Sequence, residues 1–213
     1  MSREPRETDG PSEPSHKGQS LARTIICDLS ISAIAWSKPI LIGIFGLPCS
    51  GKTEVAAWLG ARFPFVILST DAIRLTYDLP SGPATHDVMY AIADELLPHN
   101  LGLIFDGIHT SRSDRERLRQ FAAKHDAECE LIFTKADLST IQQRLEDRAN
   151  DPDATTAQMK YVITPEHFAR IASYLELPDD SETFWCVDTS SNSIANQLAP
   201  LMSRLSKVSP MIE

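Results

Sequence analysis

Residues 40–53 read Ile-Leu-Ile-Gly-Ile-Phe-Gly-Leu-Pro-Cys-Ser-Gly-Lys-Thr. The first six form an unbroken apolar run after Pro39, the pattern of a strand buried on both faces. The last eight, Gly46, Leu47, Pro48, Cys49, Ser50, Gly51, Lys52 and Thr53, fit G-x-x-x-x-G-K-[ST]. Glycines at those places let backbone N–H groups converge on phosphate oxygens without a Cβ in the way. The residues that follow, Lys52 to Arg62, carry Val55, Trp58 and Leu59 at helical spacing. A helix beginning there turns its positive end to the same anion. Lys52 supplies a point charge for the β and γ phosphates, and the Thr53 hydroxyl is a ligand for Mg²⁺. Strand, glycine loop and helix in that order are the context this motif requires.

Further along the chain, apolar runs alternate with helix-period segments. Strands are expected at Phe65–Ser69, Leu101–Phe105, Glu130–Phe133 and Phe184–Val187. Helices are expected at 85–97, 111–125, 137–149, 164–175 and 193–205. Five β-α repeats imply a three-layer α/β domain around a mostly parallel five-stranded sheet, with ligands at the carboxyl ends of the strands. Residues 1–20 hold Pro5, Pro11, Pro14, several serines and mixed charges, and read as a disordered tail. Residues 21–38 read as an extension of unknown role, either packed or forming an extra strand. The domain itself spans 39–207.

Carboxylates and arginines near the expected strand ends are the candidates for chemistry. Asp71, in Ser69-Thr70-Asp71-Ala72-Ile73-Arg74, follows the second strand, where a carboxylate can take the proton of an attacking hydroxyl. Arg74, at i+3, can pair with it or share a substrate. The alternative is a helix-capping aspartate with a surface ion pair. Asp106 ends the third strand, the position from which a carboxylate holds Mg²⁺, although Asp106-Gly107 also suits a turn. Arg144 and Arg148 lie i,i+4 on one expected helix and face the same way, either closing over phosphates or forming a solvated pair. Arg112, Arg115, Arg117 and Arg119, interleaved with Asp114 and Glu116, read as a solvated helix face.

The chain of 213 residues carries a net charge of −9, which disfavours non-specific binding of nucleic acid or anionic membrane. Cys27, Cys49, Cys129 and Cys186 contain no C-x-x-C pair, so reduced thiols are expected rather than disulfides or zinc. Arg3, Glu4, Arg6, Glu7 and Asp9 near the start argue against a secretory signal, and no segment suits a membrane span. A cytoplasmic location is the corresponding expectation.

Together GLPCSGKT, STDAIR, LIFDG with SRSDRERLR, and QQRLEDRANDPDAT resemble the small AAA-type P-loop kinases. These include the 5′-hydroxyl polynucleotide kinase domain and, more distantly, zeta toxins and chloramphenicol phosphotransferases. The resemblance covers about residues 40–190 and implies the nucleotide-kinase-like P-loop NTPase fold. It also implies ATP and Mg²⁺ as cofactors and transfer of a phosphoryl group to a hydroxyl acceptor, a small molecule or a 5′-hydroxyl nucleotide end. By the same resemblance Asp71 is the general base, Arg74 binds the acceptor phosphate, and Arg144 and Arg148 are lid arginines. Where that family often has D-x-N, this chain has Asp106-Gly107-Ile108. Thr134-Lys135-Ala136-Asp137 resembles instead the motif by which GTPases read guanine, which would make the chain a nucleotide switch. Against that, no D-x-x-G follows the third strand, and Asp137 leads straight into a helix. A nucleotide-binding module without catalysis is the remaining alternative.

Overall fold

The structure is a computed structural model, and it describes residues 16–29, 31, 34–80, 82–107, 110–150, 163–190 and 193–209. Five strands build one sheet: β1 (Ile40–Phe45), β2 (Phe65–Ser69), β3 (Gly102–Asp106), β4 (Glu128–Lys135) and β5 (Trp185–Asp188). Their order is β2-β3-β1-β4-β5, and every neighbouring pair is parallel. The sequence therefore crosses over at β1, whose neighbours β3 and β4 lie on opposite sides of it. The cleft described below lies at the carboxyl end of this switch point.

The alternation of β1 explains why the sheet is covered on both faces. Leu41 and Phe45 join the cluster with Leu103, Phe105 and Leu131, while Ile40, Ile42 and Ile44 join the other with Ile104, Ile132 and Val187. The first cluster is closed by α4 (Pro83–Leu96) and α5 (Arg112–Lys124). The second is closed by α2 (Lys52–Gly60), α8 (Ile194–Gln197) and α9 (Ala199–Val208). Each buried Leu or Ile contributes roughly 1.5–3 kcal/mol relative to exposure.

Several elements differ from the sequence expectation for physical reasons. β4 starts two residues before Glu130, because β1 pairs Ile40 with Glu128. Its acidic residues break the apolar pattern but are partnered: Arg204 of α9 reaches Glu128 at 3.1 Å and Glu130 at 2.6 Å, and the Trp185 indole donates to Glu130 at 2.8 Å. The closing helix is two helices broken at Leu198, with Pro200 in the first turn of α9. Proline lacks the N–H a continuous helix would need and suits a helix start. A short helix, α3 (Thr70–Tyr77), follows β2 directly.

Upstream, the expected tail and extension also change. Residues 1–15 lie outside the described residues, but α1 (His16–Asp28) already begins inside the stretch read as a tail. Its Ala22 and Ile25 are buried in the first cluster, Arg23 pairs with Glu95 of α4, and Tyr77 donates to Asp28 at 2.7 Å. Trp36 is buried against Phe63 and Phe65, and its backbone N–H donates to the Asn100 carbonyl at 2.7 Å. The described part of the extension is thus packed and adds no strand to the sheet.

The basic run on α5 is a solvated face only in part: Arg112 is exposed, but its neighbours are engaged in contacts. Arg115 is fully buried and forms a two-pronged pair with Glu182, at 2.8 and 2.6 Å. It also donates to the Glu176 carbonyl at 2.9 Å, and its guanidinium lies over the Phe45 ring. Arg119 adds a second cation to Glu182, and Arg117 lies over Tyr90. These contacts fix the segment after α7 (Pro165–Tyr174) onto the start of α5. All four cysteines are free, and among the described residues no helix is long and apolar enough to cross a membrane.

Candidate active site

The glycine loop leaves β1 and enters α2 through backbone conformations of alternating hand. Gly46 has φ 150°, Cys49 φ 59° and Gly51 φ 90°. Such alternation gathers successive N–H groups into an anion-binding concavity. A Cβ at Gly46 would strike the Thr134 carbonyl, and one at Gly51 would lie 2.6 Å from Thr189 Cγ2. Both places are glycine because the neighbouring chain already fills the space.

Side chains from other elements hold the loop. Ser50 is buried, and its hydroxyl lies 2.7 Å from that of Thr134, which in turn donates to the Phe45 carbonyl at 3.2 Å. Thr189, just past β5, donates to the Ser50 carbonyl at 3.0 Å. Arg144 on α6 (Leu138–Ala149) donates to the Cys49 carbonyl at 3.1 Å, the Thr189 hydroxyl at 2.8 Å and the Thr189 carbonyl at 3.1 Å. The Lys52 ammonium donates to the carbonyls of Gly46 and Leu47 at 3.2 and 2.9 Å. Desolvation lowers the Lys52 pKa, opposed by the charges of Asp106 and Asp71.

Thr53 donates to Asp106 Oδ2 at 2.8 Å, joining the start of α2 to the end of β3. Asp106 is 2% exposed. Burial pushes its carboxyl pKa up, while the Thr53 hydroxyl and the Lys52 charge pull it down. A hydroxyl and a carboxylate so joined are hard oxygen donors of the kind Mg²⁺ takes. Among the described residues no group of three or more His, Cys, Asp or Glu could hold a metal by itself.

Asp71 and Arg74 stand on α3 across from the loop, joined at 3.4 Å. Ser69, not Asp71, caps this helix, by accepting from Ala72 N. Asp71 is therefore free of the capping role and keeps a side chain 58% exposed. One cleft of about 780 Å³ is lined by the glycine loop, Asp71, Arg74, Asp106, Arg144 and Arg148. His86 of α4 and His167 and Tyr174 of α7, which the sequence did not single out, line it too. Burial lowers the His86 pKa, which favours its neutral form. Of the D-x-N position, Ile108 lies outside the described residues.

Thr134 and Thr189 were also missed. Thr134 sits in the segment resembling a guanine-reading motif, but here it is buried beneath the loop. Asp137 of the same segment caps α6, accepting from Thr140 N at 2.7 Å, which depresses its pKa to about 2. The signal for Thr189 was its place just beyond a strand's carboxyl end.

A family model described as an AAA domain matches residues 41–165, more than half of the chain. Among solved structures, Chaetomium thermophilum Kti12 in complex with ADP-AlF3 aligns at 15% identity with a TM-score of 0.60, over 80% of this chain and 100% of that one. The Mycobacterium tuberculosis APS kinase in complex with AMPPNP and APS aligns at 17% identity and 0.53, over 79% and 98%. A Sinorhizobium meliloti gluconokinase aligns at 19% identity and 0.51, over 79% and 97%. No curated protein sequence matches significantly.

Proposed function

The chain belongs to the AAA-domain family of P-loop proteins, and from that premise we propose that it is an ATP-dependent phosphotransferase acting on a hydroxyl-bearing acceptor. One observation carries the reading: a single cleft joins a phosphate-type loop with its lysine, a buried hydroxyl–carboxylate pair, and an exposed carboxylate on the facing helix. The nucleotides named in the Kti12 and APS kinase complexes are consistent with ATP on Gly46–Thr53.

In this reading Lys52 and the loop amides bind the β and γ phosphates. Thr53 and Asp106 hold Mg²⁺, which supplies neutralisation of phosphate charge when bound. Asp71 accepts the acceptor's hydroxyl proton, and Arg74 orients the acceptor beside it. The acceptor oxygen forms a bond to the γ phosphorus as the bond to the β–γ bridging oxygen breaks, and ADP leaves with that electron pair. Arg148 lines the cleft and forms no hydrogen bond or ion pair with the described residues. It is the lid cation for the charge that develops on the transferred group. Catalysis is then positioning plus electrostatics.

The test is purified protein, Mg²⁺, γ-labelled ATP and a panel of nucleosides, 5′-hydroxyl oligonucleotides, sugars and antibiotics. Label on an organic product, absent with Lys52→Ala, is the expected result. ATP bound without transfer to any acceptor would favour a non-catalytic module. The absence of ATP and GTP binding at millimolar concentration would end the nucleotide reading. A guanine switch is disfavoured by the engagement of Thr134 and Asp137 in structural contacts.

A further inference from the structure

The two arginines of α6 are placed differently. Both line the cleft, but among the described residues Arg144 is tied to its floor: its three hydrogen bonds go to the Cys49 carbonyl and to Thr189, and it lies 4.0 Å from Glu54. Thr189 is the junction. Its backbone N–H donates to the Lys135 carbonyl at 2.9 Å, which fixes it to the end of β4. Its hydroxyl accepts from Arg144 and donates to the Ser50 carbonyl, so the proton and a lone pair each have a partner. Its methyl fills the space a Cβ on Gly51 would need.

These contacts control the loop through peptide geometry. Across a planar trans peptide, the C=O and the following N–H point in opposite directions. A Ser50 carbonyl held toward Thr189 therefore turns the Gly51 N–H the other way. A Cys49 carbonyl held by Arg144 likewise orients the Ser50 N–H, which donates to the Leu47 carbonyl at 3.1 Å and closes the turn of the loop. Cys49 itself is a non-glycine residue at φ 59°, a conformation that surrounding contacts must maintain.

We propose that Thr189 is a positioning residue that, with Arg144, latches the phosphate loop in its anion-binding shape. Arg144 acts through the loop backbone and not on the transferred phosphoryl group, which falls to Arg148. The inference rests on the reading of this loop as the triphosphate site and adds to it two residues that set its shape.

The experiment compares wild type, Thr189→Val, Thr189→Ser and Arg144→Gln by calorimetric titration with Mg-ATP and with Mg-tripolyphosphate, a probe with no base or sugar. Thr189→Val, near the shape of threonine but without the hydroxyl, is expected to weaken both ligands by about tenfold. Thr189→Ser restores most of that loss, and Arg144→Gln weakens both ligands by a similar factor. Equal losses for the two ligands are the signature, because a contact to base or ribose would spare tripolyphosphate. In transfer assays Thr189→Val raises KM for ATP and largely keeps kcat. Tripolyphosphate binding unchanged in both Thr189→Val and Arg144→Gln overturns the latch, whatever happens to ATP. If Thr189→Val does not fold, Arg144→Gln is read by the same criterion. A wild-type protein that binds neither ligand would instead remove the triphosphate reading itself, and the latch with it.

Discussion

The floor of the cleft and its rim are built in opposite ways. On the floor, the loop from Gly46 to Thr53 is held by Thr134 from β4, Thr189 beyond β5, Arg144 from α6 and its own Lys52. Asp106 beside it is almost wholly buried. On the rim, Asp71 is more than half exposed, α7 buries none of its residues, and Tyr174 is 62% exposed. For the phosphate site proposed above, donors fixed in advance are an advantage, since no reorganisation is then needed when charge develops. On the proposed reading, a rim open to solvent leaves the acceptor to be defined by a few side chains.

The contrast can be broken most severely at the floor. Lys52→Ala is expected to lower ATP turnover by about a thousandfold or more, read with labelled ATP at saturating concentration. A fall below tenfold would mean that the lysine serves the loop's own carbonyls and little else.

The rim's support is the next largest effect. Glu182→Ala removes the carboxylate that neutralises the buried Arg115 and is expected to destabilise the fold by about 3 kcal/mol in denaturant titration. Nucleotide affinity per folded molecule should be nearly unchanged. Loss of nucleotide binding in the folded variant would show that rim and floor are one unit.

Asp71→Asn probes the rim's chemistry. Transfer is expected to fall about a hundredfold while ATP affinity stays within about twofold of wild type. Wild-type transfer rates would remove the base assignment.

The smallest effect sharpens the comparison at its edge. Asp137 caps α6, the helix that carries both arginines, and its depressed pKa favours the folded state whenever the carboxyl is ionised. That contribution is present above the ordinary value of 3.8 and is lost as pH falls through about 2. The stability gap between wild type and Asp137→Ala should therefore shrink between pH 4 and pH 2. A gap independent of pH would show that the carboxylate's charge plays no part.

Much of the fold was legible because β1 and β3 are apolar along nearly their whole length and the loop motif sits between a strand and a helix. The misreadings have a common cause. Glu128 and Glu130 hid the length of β4, since partners as remote as Arg204 are invisible in a local window. Arg115 looked solvated because its partner lies 67 residues away. At Asp71 the sequence left a catalytic carboxylate and a helix cap as alternatives, and the structure gives the cap to Ser69.

By itself the sequence determined what depends on local spacing: the alternation of strands and helices, and the glycines, lysine and threonine of a loop whose shape is set by consecutive torsions. Tertiary structure alone decided which distant side chains hold that loop and which of the two α6 arginines is bonded to it. Thr189 and Arg144 meet Cys49 and Ser50 only because β4 and β5 bring them alongside, and a pairing across more than ninety residues leaves no periodic trace in the chain.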